Sequence, residues 1–222
     1  MLTTEKETTQ PVRKGSFLQE NTKSLLFIAG AIVLLIGIYI WYQNFYLKGR
    51  AEEASAKMYK AERFIGVDSL SNKALNGEGG YPGLEKIADE YANTKSANLA
   101  NLYLGGIYLR KGEYKKAVES LGSYSETGST VIDPLALGLL GDAYSELKDY
   151  KQAATYYKKA ADKASNKFTS PIFLKKLGLV NETLKDFKGA HDAYTKIKTQ
   201  YPDSQEAVLI DEYIGRAEAQ VK

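Results

Sequence analysis

Three segments of this chain repeat one sparse pattern at intervals of 36 and 37 residues, and that period narrows the possible folds more than any other feature. The first segment carries Leu104, Gly105 and Tyr108, then Tyr114, Ala117 and Leu121. The second carries Leu140, Gly141 and Tyr144, then Tyr150, Ala153 and Tyr157. The third carries Leu177 and Gly178, then Phe187, Ala190 and Tyr194. Repeats of this length build solenoids of stacked helix pairs, because one unit cannot bury its apolar face alone. Adjacent Leu and Gly set a knob beside a gap on the first helix of each pair. The gap admits the second helix, and the small Ala117, Ala153 and Ala190 complete the close approach. A larger side chain at Gly141 is expected to overpack by about 1–3 kcal/mol. Lys111-Gly112-Glu113, Lys148-Asp149 and Lys185-Asp186 supply the short polar bends such pairs need. The expected fold class is all-α.

A second feature lies upstream. From Leu25 through Ile40 there is no charged residue, and Trp41 and Tyr42 follow at once. About 18–20 apolar residues in a helix cross a hydrocarbon core of about 30 Å. Leu25, Phe27, Ile32 and Leu35 are the expected lipid-facing anchor residues. Trp41 and Tyr42 suit a headgroup belt, with Lys23 and Lys48 flanking. The run exceeds a usual signal-peptide core, and Tyr39, Trp41, Tyr42, Phe45 and Tyr46 leave no small-residue cleavage site. An uncleaved signal anchor is expected. Arg13, Lys14 and Lys23 on one side balance Lys48, Arg50 and Lys57 on the other, so charge does not orient the span.

The chain has 222 residues, no cysteine, one histidine and a net charge of +3. Without cysteine there is no disulfide, zinc–thiolate site or thiol nucleophile. The 30 basic and 27 acidic residues are mixed along the chain, which leaves no electrostatic footprint for nucleic acid. The single histidine, His191, has no partner for a metal or Cys/His constellation and reads as a surface residue. Gly77-Glu78-Gly79-Gly80 lacks the Lys-Ser/Thr of a phosphate loop and reads as a turn. No cofactor and no enzymatic activity are expected. Many of the 17 tyrosines, Tyr108, Tyr114, Tyr144, Tyr150, Tyr157 and Tyr194 among them, fall on repeat-core positions, so packing explains them.

The repeat resembles the tetratricopeptide repeat, with Leu-Gly, a tyrosine three residues on, then an alanine and an aromatic on the second helix. Pro202 follows the third unit where that family often has proline. Asn181 replaces the tyrosine in the third unit, and Tyr124 replaces the small residue that is Ala160 in the second. Upstream, Ala51, Ala54, Met58, Ala61 and Ile65 predict a helix to about Phe64. A Ser/Asn/Gly-rich loop is expected through Gly80, then a second-type helix on Leu84, Ile87, Ala88 and Tyr91. One last helix, Gln205 to Val221, capped by Asp203 or Ser204, is expected to close the solenoid. The expected organisation is a disordered tail (1–24), a transmembrane signal anchor (25–45), and a juxtamembrane helix with a degenerate first repeat (46–96). Three repeats and a capping helix (97–222) follow.

Carried over from the family, a concave docking face falls on the first helices. It takes Leu99, Leu102, Leu109 and Arg110 from the first unit. From the second it takes Leu135, Asp142, Ser145 and Glu146, and from the third Ile172, Lys175, Leu179 and Glu182. For Leu99, Leu102 and Leu109 the sequence leaves open a groove or burial against the upstream helices.

Tail, span, juxtamembrane helix and small solenoid together resemble the YfgM-like ancillary subunits of the SecYEG translocon. Ala74-Leu75-Asn76-Gly77, Asn98-Leu99-Ala100-Asn101 and Gly141-Asp142-Ala143-Tyr144 place it nearest the bacteroidete-type members. The resemblance implies a single-pass protein of the bacterial inner membrane with its body in the periplasm. It implies SecYEG and a PpiD-type membrane-anchored chaperone as partners, and a non-covalent role beside the export channel. A scaffold for outer-membrane or cell-wall assembly is the alternative.

Overall fold

The computed structural model describes residues 21–220, so most of the expected disordered tail lies outside the described residues. Two compact units meet at Gly49 and Arg50. In the first unit, α1 spans Thr22–Trp41 and none of its 20 residues is buried. It is long and apolar enough to be a membrane anchor or a signal sequence. A π-helical stretch, Tyr42–Leu47, follows. There the rings of Tyr42 and Tyr46 stack at 5.4 Å, and Asn44 Nδ2 donates to the Ile40 carbonyl at 2.9 Å.

The second unit is all-α apart from one miniature hairpin. It takes all but the first two residues of α2 (Lys48–Glu62), then a 3₁₀ turn (Asp68–Leu70) and α3 (Ser71–Asn76). Strands β1 (Gly77–Glu78) and β2 (Tyr81–Pro82) precede α4 (Leu84–Glu90). Three helix pairs follow: α5 (Lys95–Arg110) with α6 (Tyr114–Gly122), α7 (Ile132–Glu146) with α8 (Tyr150–Ala164), and α9 (Ser170–Thr183) with α10 (Phe187–Gln200). A 3₁₀ turn (Gln205–Ala207) and α11 (Ile210–Glu218) end the described chain. This is a tetratricopeptide solenoid preceded by one apolar N-terminal helix.

The three pairs share one bend. Glu113 N donates to Tyr108 O at 2.9 Å and Gly112 N to Leu109 O at 3.1 Å. Asp149 N→Tyr144 O and Lys148 N→Ser145 O, then Asp186 N→Asn181 O and Lys185 N→Glu182 O, repeat it at 2.8–2.9 Å. These are Schellman motifs, which satisfy the last carbonyls of each first helix. The left-handed residue is Gly112 in the first pair but Lys148 (φ 63°) and Lys185 (φ 61°) in the others. The next residue then starts the second helix: Asp149 accepts from Gln152 N at 3.2 Å and Asp186 from Gly189 N at 2.9 Å. Asn181 makes this bond through its backbone, which is why losing the tyrosine leaves the bend intact.

The core runs along the stack in three clusters. Upstream it takes Met58 from α2, Leu75 from α3, Leu84 and Ile87 from α4, and Leu104 and Ile107 from α5. Downstream it takes Tyr157 from α8, Phe173 from α9, Tyr194 and Ile197 from α10, and Ile210 from α11. Leu102, Leu121, Ala136 and Leu140 form a third cluster.

Two expectations are corrected. The stretch before Gly80 is not a plain loop. Ala74 and Leu75 are buried and draw residues 71–76 into α3. Gly79 and Gly80 both have positive φ and close the hairpin that pairs Glu78 with Tyr81, the geometry of a tight two-residue turn. Nor is the C-terminal segment one helix. Ser204 caps only the 3₁₀ turn, accepting from Ala207 N at 3.2 Å. The chain breaks at Leu209, in the left-handed region at φ 64°, and restarts so that Ile210 and Ala217 are buried.

Candidate protein-docking face

Equivalent positions of the three first helices bring Leu99, Leu135 and Ile172 into one series, spaced by 36 and 37 residues. Leu135 is 40% exposed and Ile172 38% exposed; Leu179, two turns further along α9, is 41% exposed. These aliphatic side chains keep much of their surface in solvent on adjacent first helices. Leu99 is half-buried and packs against two core clusters, as does Leu109.

Leu102 is only 4% exposed and packs with Leu121, Ala136 and Leu140. It belongs to the interior, toward the next repeat rather than the upstream helices. A leucine buried this far contributes about 1.5–3 kcal/mol and presents no surface to a partner.

Most charged members of the face are already engaged within the protein. Asp142 accepts from Tyr157 Oη at 2.7 Å and from Lys176 Nζ at 2.6 and 2.8 Å. It therefore ties α7 to both α8 and α9. Arg110 donates to the Ile65 carbonyl at 3.0 Å, joining α5 to the upstream turn. Lys175 Nζ lies 4.8 Å from the centre of the Tyr213 ring. Glu182 receives a fork from Arg216, Nε at 3.1 Å and Nη2 at 3.0 and 2.8 Å. Tyr213 and Arg216 belong to α11, so α11 lies against Lys175 and Glu182. Glu146 is exposed beside Tyr114, and its carboxylate holds the phenol above the usual tyrosine range.

Three features escaped sequence reasoning. The first is the role of α11 in occupying that end of the face. The second is Asp133, at 0% exposure. Its Oδ1 accepts from Tyr124 Oη at 2.7 Å, Thr127 N at 2.9 Å and Thr127 Oγ1 at 3.0 Å, and Oδ2 accepts from Gly128 N at 2.8 Å. Burial alone pushes this carboxyl up; the hydrogen bonds from Thr127, Tyr124 and Gly128 outweigh it and hold the pKa below the usual aspartate value. Tyr124 has left the helix that Ala160 continues in the next repeat, and its hydroxyl fastens the α6–α7 loop. The third is Tyr194, whose fully buried hydroxyl has no hydrogen-bond partner of normal geometry among the described residues. Its repeat equivalent, Tyr157, is satisfied by Asp142. His191 is half-buried with Asp192 at 3.7 Å, and among the described residues no cluster of His, Cys, Asp and Glu could hold a metal.

The tetratricopeptide repeat family model matches residues 135–162, which cover nearly all of α7 and α8. No curated protein and no solved structure matches the chain. A tetratricopeptide solenoid is a scaffold for protein–protein interaction, and partners of this chain are accordingly proteins in general terms.

Proposed function

We propose that this protein is a non-enzymatic, single-pass scaffold of the bacterial inner membrane. Its solenoid sits in the periplasm and docks a PpiD-type chaperone or an emerging secretory chain beside the SecYEG channel. The observation that carries the docking is the set of exposed aliphatic side chains, Leu135, Ile172 and Leu179, on adjacent first helices whose charges are mostly spent on internal contacts. Such a face suits a partner segment with apolar side chains, since charged groups already paired offer little new attraction.

The anchor gives the face its purpose. An apolar helix of this length, α1, holds the solenoid at a surface and raises its effective concentration toward neighbours there. Placement beside SecYEG draws its support from the resemblance to the YfgM-like subunits.

The test is photo-crosslinking in membranes with a reactive residue at Ile172 or Leu179. Adducts with translocon subunits or a membrane-anchored chaperone support the reading. Adducts with cell-wall or outer-membrane assembly factors transfer the scaffold to envelope assembly. Protease shielding of the body in spheroplasts overturns the periplasmic placement.

A further inference from the structure

One opening in the solenoid is lined by none of Leu135, Ile172 and Leu179. A groove of about 1090 Å³ lies between α4 and α6, floored by α5. Its floor is the stripe Ala97, Asn101, Leu104 and Tyr108, one residue per turn of α5. At the upper end of the range for small-molecule pockets, it has room for several side chains of a peptide.

Acidic side chains outnumber basic ones along it. Glu85 and Asp89, one turn apart on α4, line one wall, and Glu119 on α6 lines the other. Glu126 lines it too but pairs with Lys163, and Lys116 pairs with Glu113 at 2.7 Å. Against the three carboxylates stand Lys95 and Lys116, the latter shared with Glu113, and Glu85 also accepts from Tyr108 Oη, so the groove keeps a small negative excess, centred on Asp89 and Glu119, in a chain of net charge +3.

The protein itself shows how α5 can hold a passing loop backbone. Asn98 Nδ2 donates to Ser125 O at 2.7 Å, and Ser125 N donates to Asn98 Oδ1 at 2.7 Å. Asn101, one turn along α5, lines the groove with its side-chain amide unengaged among the described residues.

We infer that this groove is a second docking site, which takes an extended lysine- or arginine-rich segment of a partner protein. Asn101 clasps its backbone, and Asp89 and Glu119 flank its basic side chains. Complementary charge fixes the sign of the ligand, and the apolar floor takes the stems of its long side chains. The site is separate from Leu135, Ile172 and Leu179, so the two readings fail independently.

The experiment uses the full chain in non-ionic detergent. A fluorescent alternating Lys-Ala peptide is titrated by anisotropy, with a Glu-Ala peptide as control. The Lys-Ala peptide is expected to bind and the control not to. Affinity is expected to fall about tenfold in the double variant D89K/E119K, and again when salt screens the groove. N101A is expected to weaken binding about fivefold, while losing its effect on a peptide N-methylated along its backbone. Both acidic positions are exposed, and circular dichroism checks each variant's fold. Equal binding of the two peptides overturns the proposal, as does unchanged Lys-Ala binding by folded D89K/E119K. If sedimentation shows instead that D89K/E119K dissolves a self-associated form, the occupant is a second copy and the proposal falls.

Discussion

Gly105 and Leu121 share one space: a Cβ built on Gly105 falls 2.6 Å from Leu121 Cδ2. The relationship recurs through the solenoid. A Cβ on Gly141 falls 2.5 Å from Tyr157 Cδ1, and one on Gly178 falls 2.5 Å from Tyr194 Cζ. Each glycine of the Leu-Gly pair is thus the seat for the residue four beyond the small alanine of the second helix. Close packing leaves no slack for a methyl group there.

Neighbouring residues of α5 make a matched test of this relationship. Gly106 meets nothing nearer than Arg110 Nη1 at 3.8 Å. G106A is expected to stabilise the domain by about 0.5–1 kcal/mol, since alanine is the better helix former. G105A gains the same propensity but must displace Leu121, and is expected to destabilise by about 1–2 kcal/mol net. Denaturant melts of the two variants check this. A stabilised G105A means that Leu121 moves aside freely and that the glycine is not a packing requirement.

The bends offer a second comparison. Lys148 and Lys185 sit at positive φ where the first pair has Gly112. A non-glycine residue there costs about 1–2 kcal/mol, while glycine gives up about 0.4–1 kcal/mol of unfolded-chain entropy. K148G is therefore expected to raise stability by about 0.5–1 kcal/mol, and G112A to lower it by about the same amount. Thermal melts of both variants measure the difference, and a fall in stability for K148G contradicts the account.

Much of this architecture was legible in the chain, for a reason the glycines show. Gly105, Gly141 and Gly178 each answer to a partner at a fixed offset within one repeat, so periodicity exposes both. What the sequence hid lacked that symmetry. Gly79-Gly80 was readable as a turn, but not that Glu78 and Tyr81 pair across it to close a hairpin. Leu209 breaks the last helix only because Ile210 and Ala217 must reach the core, a tertiary demand without a local signal. The face was legible by position but not by occupancy. Asp142, Lys175 and Glu182 stand where the family's groove positions lie, yet Tyr157, Tyr213 and Arg216 already engage them. Asp133 gave no signal, because its partners lie in the one loop that departs from the repeat.

Asp133 predicts how the domain responds to acid. Its folded pKa lies below the unfolded value of about 3.9. The stabilisation is therefore fully present above that unfolded value and is lost as pH falls through the folded one. D133N keeps the shape but sets an amide donor against donors from Thr127 or Gly128. It is expected to cost about 1.5–3 kcal/mol at neutral pH and to flatten part of the stability loss below about pH 4. Denaturant melts from neutral to acid pH measure both. An unchanged acid limb in D133N means that Asp133 is not part of the proton uptake on unfolding.

Leu102 and Leu135, both on first helices, separate the fold from its use. Leu102 is interior; an aspartate there buries an unpaired charge and leaves a hole beside Leu121 and Leu140. L102D is expected to cost about 4 kcal/mol or more and to abolish cooperative melting. Leu135 presents much of its side chain to solvent. L135D is expected to change stability by about 1 kcal/mol or less, as surface changes usually do. If the first-helix face docks a partner, folded L135D, combined with Asp at Ile172 and Leu179, fails to recover what the unaltered protein recovers from membranes. Circular dichroism reads the first quantity and co-purification the second. Partner recovery undiminished in the folded triple variant would remove this face from the interaction and leave the solenoid to bind through another surface.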